Sequence, residues 1–506
     1  MNGTYASAIE FSDRSRSQVF PNVVAATASV IGGVLIGTQS LIGFGSILAF
    51  PMAMFILARP VYGLMGIFFV VNVLFVVDRM QRIGFTLPVT GGTISATDLL
   101  YGLMIACVIW KWTMDKDVYY PRNRLGTPLF LLLAWAAICL FIGIASGNEV
   151  KKSMIEWRPL LYLSIFYLTV FLVRDEQTLV LVIKSFVIAY LATFALGFAI
   201  FVQGRKAIEY FTMGQIDPGQ SILPRFTFVS SDLVLTLLFM SIGLIIFLRD
   251  QRYKIFLVML SALLVVNLLL IQARTQILAL FVGMTPIMIL APGLKRIKLI
   301  AAGFAGAMFM AVVIFSLAQT ESGQKKIIDP ILERFSGIYK QQTDVDQSLE
   351  RRRMESEAIW PGIFKHPVIG NGFGSKWSSD PRWVTVYKHD PTYIHSSWLY
   401  FLFKMGAVGT ILMLLLMFRA SALALSIVRD PRKPFFRGIA LGILATMPTF
   451  VFTGILQPTL WHFQMTPVIG FEFAVVVIMD DILRRKRIET GLADPQDTSK
   501  VLPYEN

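Results

Sequence analysis

Residues 350–409 read ERRRMESEAIWPGIFKHPVIGNGFGSKWSSDPRWVTVYKHDPTYIHSSWLYFLFKMGAVG, and how this stretch is read decides the fold. It opens on three consecutive arginines, Arg351, Arg352 and Arg353, and crosses a glycine-rich turn, Pro367-Val-Ile-Gly370-Asn-Gly372-Phe-Gly374. It carries three of the four histidines in the chain. The sequence on either side is mostly apolar. The stretch therefore reads as a water-facing loop that ends where a membrane helix begins, at His395.

Working outward, 506 residues that are 55% hydrophobic and only 15% charged supply too little polar surface for water-soluble domains. The expected class is all-α, a polytopic membrane protein. The excess of 46 Lys plus Arg over 32 Asp plus Glu serves orientation first in such a chain, so nucleic acid is not an expected partner. Cys107 and Cys139 both fall in apolar runs, which implies neither a disulfide framework nor a thiolate metal site.

A helix needs about 20 residues to cross a hydrocarbon core. Apolar runs of suitable length fall near 22–39, 41–58, 60–77, 96–113, 128–146, 159–173, 178–203, 227–248, 255–273, 276–291, 299–318, 395–418, 438–456 and 464–480. Fourteen spans are expected. The domain layout is a cytoplasmic tail 1–21, helices 1–11 over 22–318, an outer loop 319–394, helices 12–14 over 395–480 and a cytoplasmic tail 481–506. An uncleaved first helix is expected rather than a signal peptide. With both termini cytoplasmic, Lys111, Lys116, Arg122, Arg124, Arg249, Arg252, Lys295, Arg296, Arg432 and Lys433 all fall inside, as the positive-inside bias requires. The outward connections nevertheless keep Arg79, Arg82, Lys151, Lys152, Arg158, Arg205, Lys206, Arg225 and Arg274. That residue of positive charge suggests an anionic substrate.

The loop is not a linker, since Trp360, Phe364, Phe373, Trp377, Trp383, Tyr387 and Tyr393 give it apolar mass. Residues 350–360 are expected to form a short helix that Pro361-Gly362 ends. Arg274 lies among apolar residues at membrane depth, where a cation facing lipid costs ~2.5–3.5 kcal/mol. It either snorkels from a helix end or faces a polar cavity as a phosphate ligand. The three loop arginines fan around a helix, so one of them, Arg352 by preference and then Arg353, is the working residue; the alternative is a solvated face paired with Glu350, Glu355 and Glu357. Arg158 and Arg225 are weaker candidates of the same kind, beside Pro159 and Pro224.

The turn Pro367-x-x-Gly370-x-Gly372 lacks the strand and helix of a dinucleotide fingerprint, and that reading is rejected. Its glycines either merely fold the loop or present amides to an anion. His395, at the boundary of loop and membrane, can serve as a general base or can cap a helix. His366, His389 and His462 have no acidic partner at ligand spacing, so no metal site and no cofactor are expected.

These pieces resemble the O-antigen ligase and polysaccharide polymerase family of bacterial inner membranes. The matches are Ala273-Arg274-Thr275; Arg352, placed 15 residues before Pro367; His366-Pro367-Val-Ile-Gly370-Asn-Gly372; and His395-Ser-Ser-Trp-Leu399 through Gly406-Ala-Val-Gly409. Trp157-Arg158, Arg225-Phe226 and Ala96-Thr-Asp98 match more loosely. The chain departs from the pattern at Lys404, where the family usually has an acid, at Ser396, where it has Asn, and at Ser230-Ser231-Asp232, where an Asn-rich stretch is usual. The resemblance implies a glycosyltransferase of the GT-C type with a polyprenyl-diphosphate-linked glycan as donor, a glycan acceptor, an active face in the periplasm and a chain-length regulator as a candidate partner. Polymerisation of lipid-linked repeats is the expected activity, and transfer of the glycan to a lipid A core is the alternative. A transporter is the reading from another class. It would place charged and helix-breaking residues in pairs near mid-membrane, whereas Lys404 and Glu472 are the clearest charges there.

Overall fold

The computed structural model describes residues 55–71, 84–86, 93–114, 123–203, 230–271, 274–297, 345–381, 383 and 390–489. The expected spans 22–39 and 299–318, most of 41–58, and the residues Arg225, Tyr387 and His389 lie outside the described residues. The chain divides into two compact units, residues 1–63 and 64–506. The site lies wholly in the second.

The described chain is helical apart from one antiparallel hairpin, in which Gly84–Thr86 pairs with Thr93–Ser95. The helices are α1 (Pro60–Phe69), α2 (Ala96–Met114), α3 (Gly126–Ala145), α4 (Val150–Leu161), α5 (Ile165–Leu172), α6 (Glu176–Val202), α7 (Ser231–Phe247), α8 (Gln251–Ile271), α9 (Arg274–Leu290), α10 (Val345–Lys365), α11 (Ser397–Arg429), α12 (Pro434–Leu456) and α13 (Thr466–Glu489). Among the described residues, six helices are long and apolar enough to cross a membrane: 126–145, 150–172, 176–200, 251–271, 397–429 and 434–456. The apolar helices α1, α7 and α9 are shorter. The protein is thus membrane-integral by its helices.

Several boundaries differ from expectation: α11 runs on to Arg429 and α13 to Glu489, and two other differences bear on the site. The span expected at 159–173 starts earlier, because α4 and α5 join through a 3-10 turn, Tyr162–Ser164, into one helix from 150 to 172. Pro159 sits inside it, and the bond its ring removes is accommodated where the next turn tightens. Likewise α10 does not stop at Pro361 but runs on to Lys365. Pro361 is on the exposed side, so losing one bond to the Glu357 carbonyl leaves no buried group unpaired.

Packing in the bundle relies on close backbone approach, as expected where lipid offers no hydrophobic drive between helices. A Cβ on Gly243 of α7 would lie 2.2 Å from the Gly438 carbonyl of α12, and one on Gly442 would lie 2.4 Å from Met240 Cα. From Thr466 to Met479, α13 is buried on every side, Glu472 included, so it forms a central post.

The decisive irregularity is in α11. Gly406 has φ 64° and ψ −166°, outside any helical region and open essentially to glycine alone. The helix is broken there, which frees carbonyls before the break and amides after it. At membrane depth such groups must be met by protein.

The turn that meets them contains a second glycine under the same demand. Gly372 has φ 76°, and a Cβ there would lie 2.4 Å from the Gly143 amide nitrogen. Gly147 also has positive φ (83°), but with nothing within 4 Å. Gly372→Ala is therefore expected to lower the thermal stability of the purified protein far more than Gly147→Ala, which bears only the ~1–2 kcal/mol strain of left-handed backbone. Equal melting temperatures for the two variants would mean that this close approach does not hold the loop.

Candidate functional site

The site is built on the break in α11. Asn371 N donates to Phe403 O at 2.8 Å and Gly372 N to Lys404 O at 3.0 Å, while Trp135 Nε1 from α3 donates to Met405 O at 2.8 Å. In return Ala407 N donates to Pro367 O at 2.8 Å and Val408 N to Val368 O at 3.3 Å. The turn 367–374 thus replaces the missing helical partners. Its own amides are engaged: Gly370 N with His366 O, Phe373 N with Cys139 O, and Gly374 N with Glu156 Oε2 at 2.7 Å. Of the two uses left open for the glycines, the described geometry shows the folding one.

Behind the turn lies a buried ion pair. Lys404 Nζ donates to Glu156 Oε1 at 2.9 Å and to Ser375 O at 2.7 Å, and Glu156 also takes the Gly374 amide. Tyr400 donates its hydroxyl to Glu156 O at 3.0 Å. The pair joins α4, α11 and the loop.

At the N-terminal end of α11, Ser396 is the N-cap, accepting from Leu399 N, and the helix proper starts at Ser397. His395 is just ahead of the cap and remains one-third exposed. Glu355, buried on α10, holds it at two points: its Oε1 accepts from His395 N at 2.7 Å, and its Oε2 lies 2.6 Å from Nδ1. A carboxylate at Nδ1 accepts a hydrogen bond from the Nδ1–H tautomer, which leaves Nε2 as the basic atom. Behind the imidazole, Tyr393 meets it edge-on at 5.0 Å, and Trp461 stacks on Tyr400 at 4.2 Å. Burial, and then the charge of Glu355, push the Tyr393 hydroxyl up to about 12, with Arg352 opposing.

The arginines separate. Arg352 faces the Tyr393 side, one helical turn before Glu355. Arg353 points away and pairs with Glu357 at 2.9 Å on the exposed face. Arg158 is directed to Asp98 at 3.2 Å, where the Tyr162 hydroxyl also donates, so no described contact brings it to His395. Arg274 opens α9; its side chain, like that of Arg351, lies outside the description. The first turn of α9 is nevertheless tied to the histidine segment. Gln276 Nε2 donates to Asp232 Oδ1 at 3.1 Å and to Gln457 Oε1 at 2.9 Å, and Ser397 Oγ donates to Gln457 O at 2.7 Å.

Beside the glycine turn is a cavity of about 880 Å³, whose wall includes Lys152, Lys365, His366, Asn371 and Lys376. His462 lies against its ring neighbour Phe463, and the burial of its imidazole pushes it down to about 4. The loop aromatics divide too. Trp377 and Trp383 are buried against each other at 4.6 Å, and Phe373 is core, so none of the three offers a face to a sugar. Trp360 and Phe364, stacked at 5.6 Å on α10, stay exposed.

Sequence reasoning missed Glu355 and Glu156 as site residues. Glu355 was visible only as one acid among several near the arginines, and its spacing from Arg352 placed both on one face of a helix. Nothing local marks Glu156, whose partner is 248 positions away.

The fold and site together define a membrane-integral helical protein with a loop docked into a broken helix and a carboxylate-held histidine at the N-terminal end of that helix. Residues 259–414 match the family model for O-antigen ligase. The match runs from within α8 through α9 and the loop into α11, and Arg274, His366-Pro367 and His395 fall inside it. No curated protein matches the chain.

Removing one partner of a buried ion pair leaves an uncompensated charge, at a cost of ~3–5 kcal/mol. Lys404→Met is therefore expected to destabilise the protein strongly, and Lys404→Met with Glu156→Gln to recover part of the loss. Thermal unfolding of the single and double variants checks this; additive losses would show that the two side chains are not coupled.

Proposed function

We propose that the protein is a membrane glycosyltransferase that polymerises polyprenyl-diphosphate-linked oligosaccharide repeats at the outer face of a bacterial inner membrane. The observation that carries the reading is the His395–Glu355 pair, with Nδ1 of the imidazole 2.6 Å from the carboxylate, inside the segment that matches the O-antigen ligase model. In this reading the chain has fourteen spans and two cytoplasmic ends, with tails 1–21 and 481–506. Helices 1–11 cover 22–318, the periplasmic loop 319–394 and helices 12–14 395–480.

The acceptor sugar hydroxyl attacks the anomeric carbon of the donor glycan. His395 Nε2 takes the hydroxyl proton as the new carbon–oxygen bond forms, and Glu355 stabilises the resulting imidazolium. The anomeric carbon–oxygen bond to the diphosphate breaks on the opposite face, so configuration inverts. Arg274 and Arg352 offset the charge that develops on the departing diphosphate, which the planar guanidinium fork suits. Arg353, Arg158 and Arg225 are secondary binding candidates, Arg353 and Arg158 now with carboxylate partners of their own. A chain-length regulator remains a proposed partner.

Transfer to a lipid A core is the second reading, favoured by the description of the matching family model. Deleting the gene separates the two: accumulated single repeats mean a polymerase, and unattached long polymer means a ligase.

In a purified assay, His395→Ala is expected to lower turnover by ~10²–10⁴ while donor binding stays nearly intact. Glu355→Gln, which keeps the shape and loses the charge, should cost about 10- to 100-fold. Arg274→Lys should weaken activity and Arg274→Ala should weaken it further. EDTA should leave turnover unchanged. Loss of turnover on chelation, or equal loss of binding and turnover in His395→Ala, would overturn the metal-independent base mechanism.

A further inference from the structure

The cavity beside the glycine turn is not used by the chemistry above, and its wall has a distinct character. Its volume of about 880 Å³ is within the range of ~300–1,000 Å³ typical of small-molecule sites. No Phe, Tyr or Trp lines it among the described residues, His366 is its one ring, and Ile142 and Ile369 are its main apolar contribution, so it does not suit an acyl chain. Lysines reach it from three segments: Lys152 from α4, Lys365 from the end of α10 and Lys376 from beyond the turn. Lys365 and Lys376 are exposed and have no acidic partner among the described residues.

The charge excess is small. Glu149 stands in the same wall, and Lys152 is shared with Asp390 at 3.4 Å. Burial raises the Asp390 carboxyl, but bonds from Thr392 and the charge of Lys152 outweigh it and hold it below the usual range, so that Lys152 is partly neutralised. What remains matches a singly charged carboxylate better than a diphosphate, and ammonium groups act as point charges rather than bidentate forks. Asn148 and Asn371 donate their amide nitrogens to backbone carbonyls at 3.0–3.1 Å, which leaves their side-chain oxygens to accept from hydroxyls. His395 is not in the cavity wall, and Trp377 and Tyr393 form the packed connection between the two. Lys376 precedes Trp377, whose Nε1 donates to Tyr393 O at 3.0 Å, and the Tyr393 ring meets His395 at 5.0 Å.

We propose that this cavity is an acidic-sugar subsite, which takes a carboxylate-bearing residue of the acceptor glycan a short distance along the chain from the reacting hydroxyl. The assignment of the glycan as acceptor rests on the reading of His395 as the reacting centre; the recognition of a sugar carboxylate by the lysines does not. The subsite would make the enzyme selective for glycans that contain uronate-type sugars, with charge giving the selectivity and the asparagines the register.

The test is binding of trigalacturonate, maltotriose and inorganic pyrophosphate to the purified full chain in detergent, by calorimetry. Trigalacturonate should bind at least about tenfold more tightly than maltotriose, and its affinity should fall as ionic strength rises. The double variant Lys365→Ala, Lys376→Ala should weaken trigalacturonate by about tenfold or more, and Lys365→Arg, Lys376→Arg should restore binding to within about twofold, which separates lost charge from lost folding. Unchanged binding in the alanine variant, or equal affinity for maltotriose, overturns the subsite. Pyrophosphate that displaces trigalacturonate at the lower concentration assigns the cavity to a lipid diphosphate and overturns it as well. His395→Ala should bind trigalacturonate like the wild type. If its turnover is normal while binding still depends on the lysines, the proposed reaction fails and the acidic-sugar subsite stands.

Discussion

A membrane helix that breaks must find partners for the groups it exposes, and here one turn of the loop supplies most of them. The break at Gly406 frees the carbonyls of Phe403, Lys404 and Met405, and Asn371, Gly372 and Trp135 donate to them. Each unpaired group in hydrocarbon costs several kcal/mol, so neither the kinked helix nor the buried turn is stable without the other. This mutual dependence turns a long polar connection into a fixed part of the bundle. It also explains why Gly-x-Gly in the loop and Gly406 in the helix occur in the same chain: the two backbones meet at distances that no Cβ permits.

The ion pair behind the turn follows from the same geometry. Lys404 projects from the last turn before the break into space closed by α4 and the loop. Glu156 answers its charge there and at the same time accepts the Gly374 amide. A buried pair of this kind is weak as a source of stability but strict about geometry, because desolvation is offset only when every donor is met. The departure at Lys404 from the pattern noted in the sequence is thus matched by a carboxylate on another helix, and it shapes the scaffold rather than the helix start where His395 sits.

Composition and hydropathy made the helical class and most described spans legible, and the chemistry of single residues drew attention to Arg274, Arg352 and His395. The parts that were hidden depend on distance along the chain. Glu355 is 40 positions before His395 and reads locally as part of a charged helix face. Gly406 stands in the sequence only as part of a Gly-x-x-Gly match, and nothing local shows the docked turn that makes a break there possible. Pro361 reads as a helix end, yet it falls on the exposed side, where a missing bond goes unpunished. The loop tryptophans illustrate the same limit: composition marks Trp360, Trp377 and Trp383 alike, and tertiary packing alone separates the exposed one from the buried pair.

The placement of the first turn of α9 relative to the histidine has a physical basis of its own. Asp232 on α7 accepts from Gln276 and from the Thr459 hydroxyl at 3.1 Å each, Gln276 reaches Gln457, and Ser397 closes on the Gln457 carbonyl. Four segments, two of them the starts of α9 and α11, are thereby tied together by polar groups that are mostly buried. The backbone that presents Arg274 and the one that presents His395 are therefore set by one hydrogen-bonded network rather than by their own loops. The proposed transfer reaction would need that kind of coupling between diphosphate and base, because a displacement of about one ångström at a reacting centre costs rate by orders of magnitude.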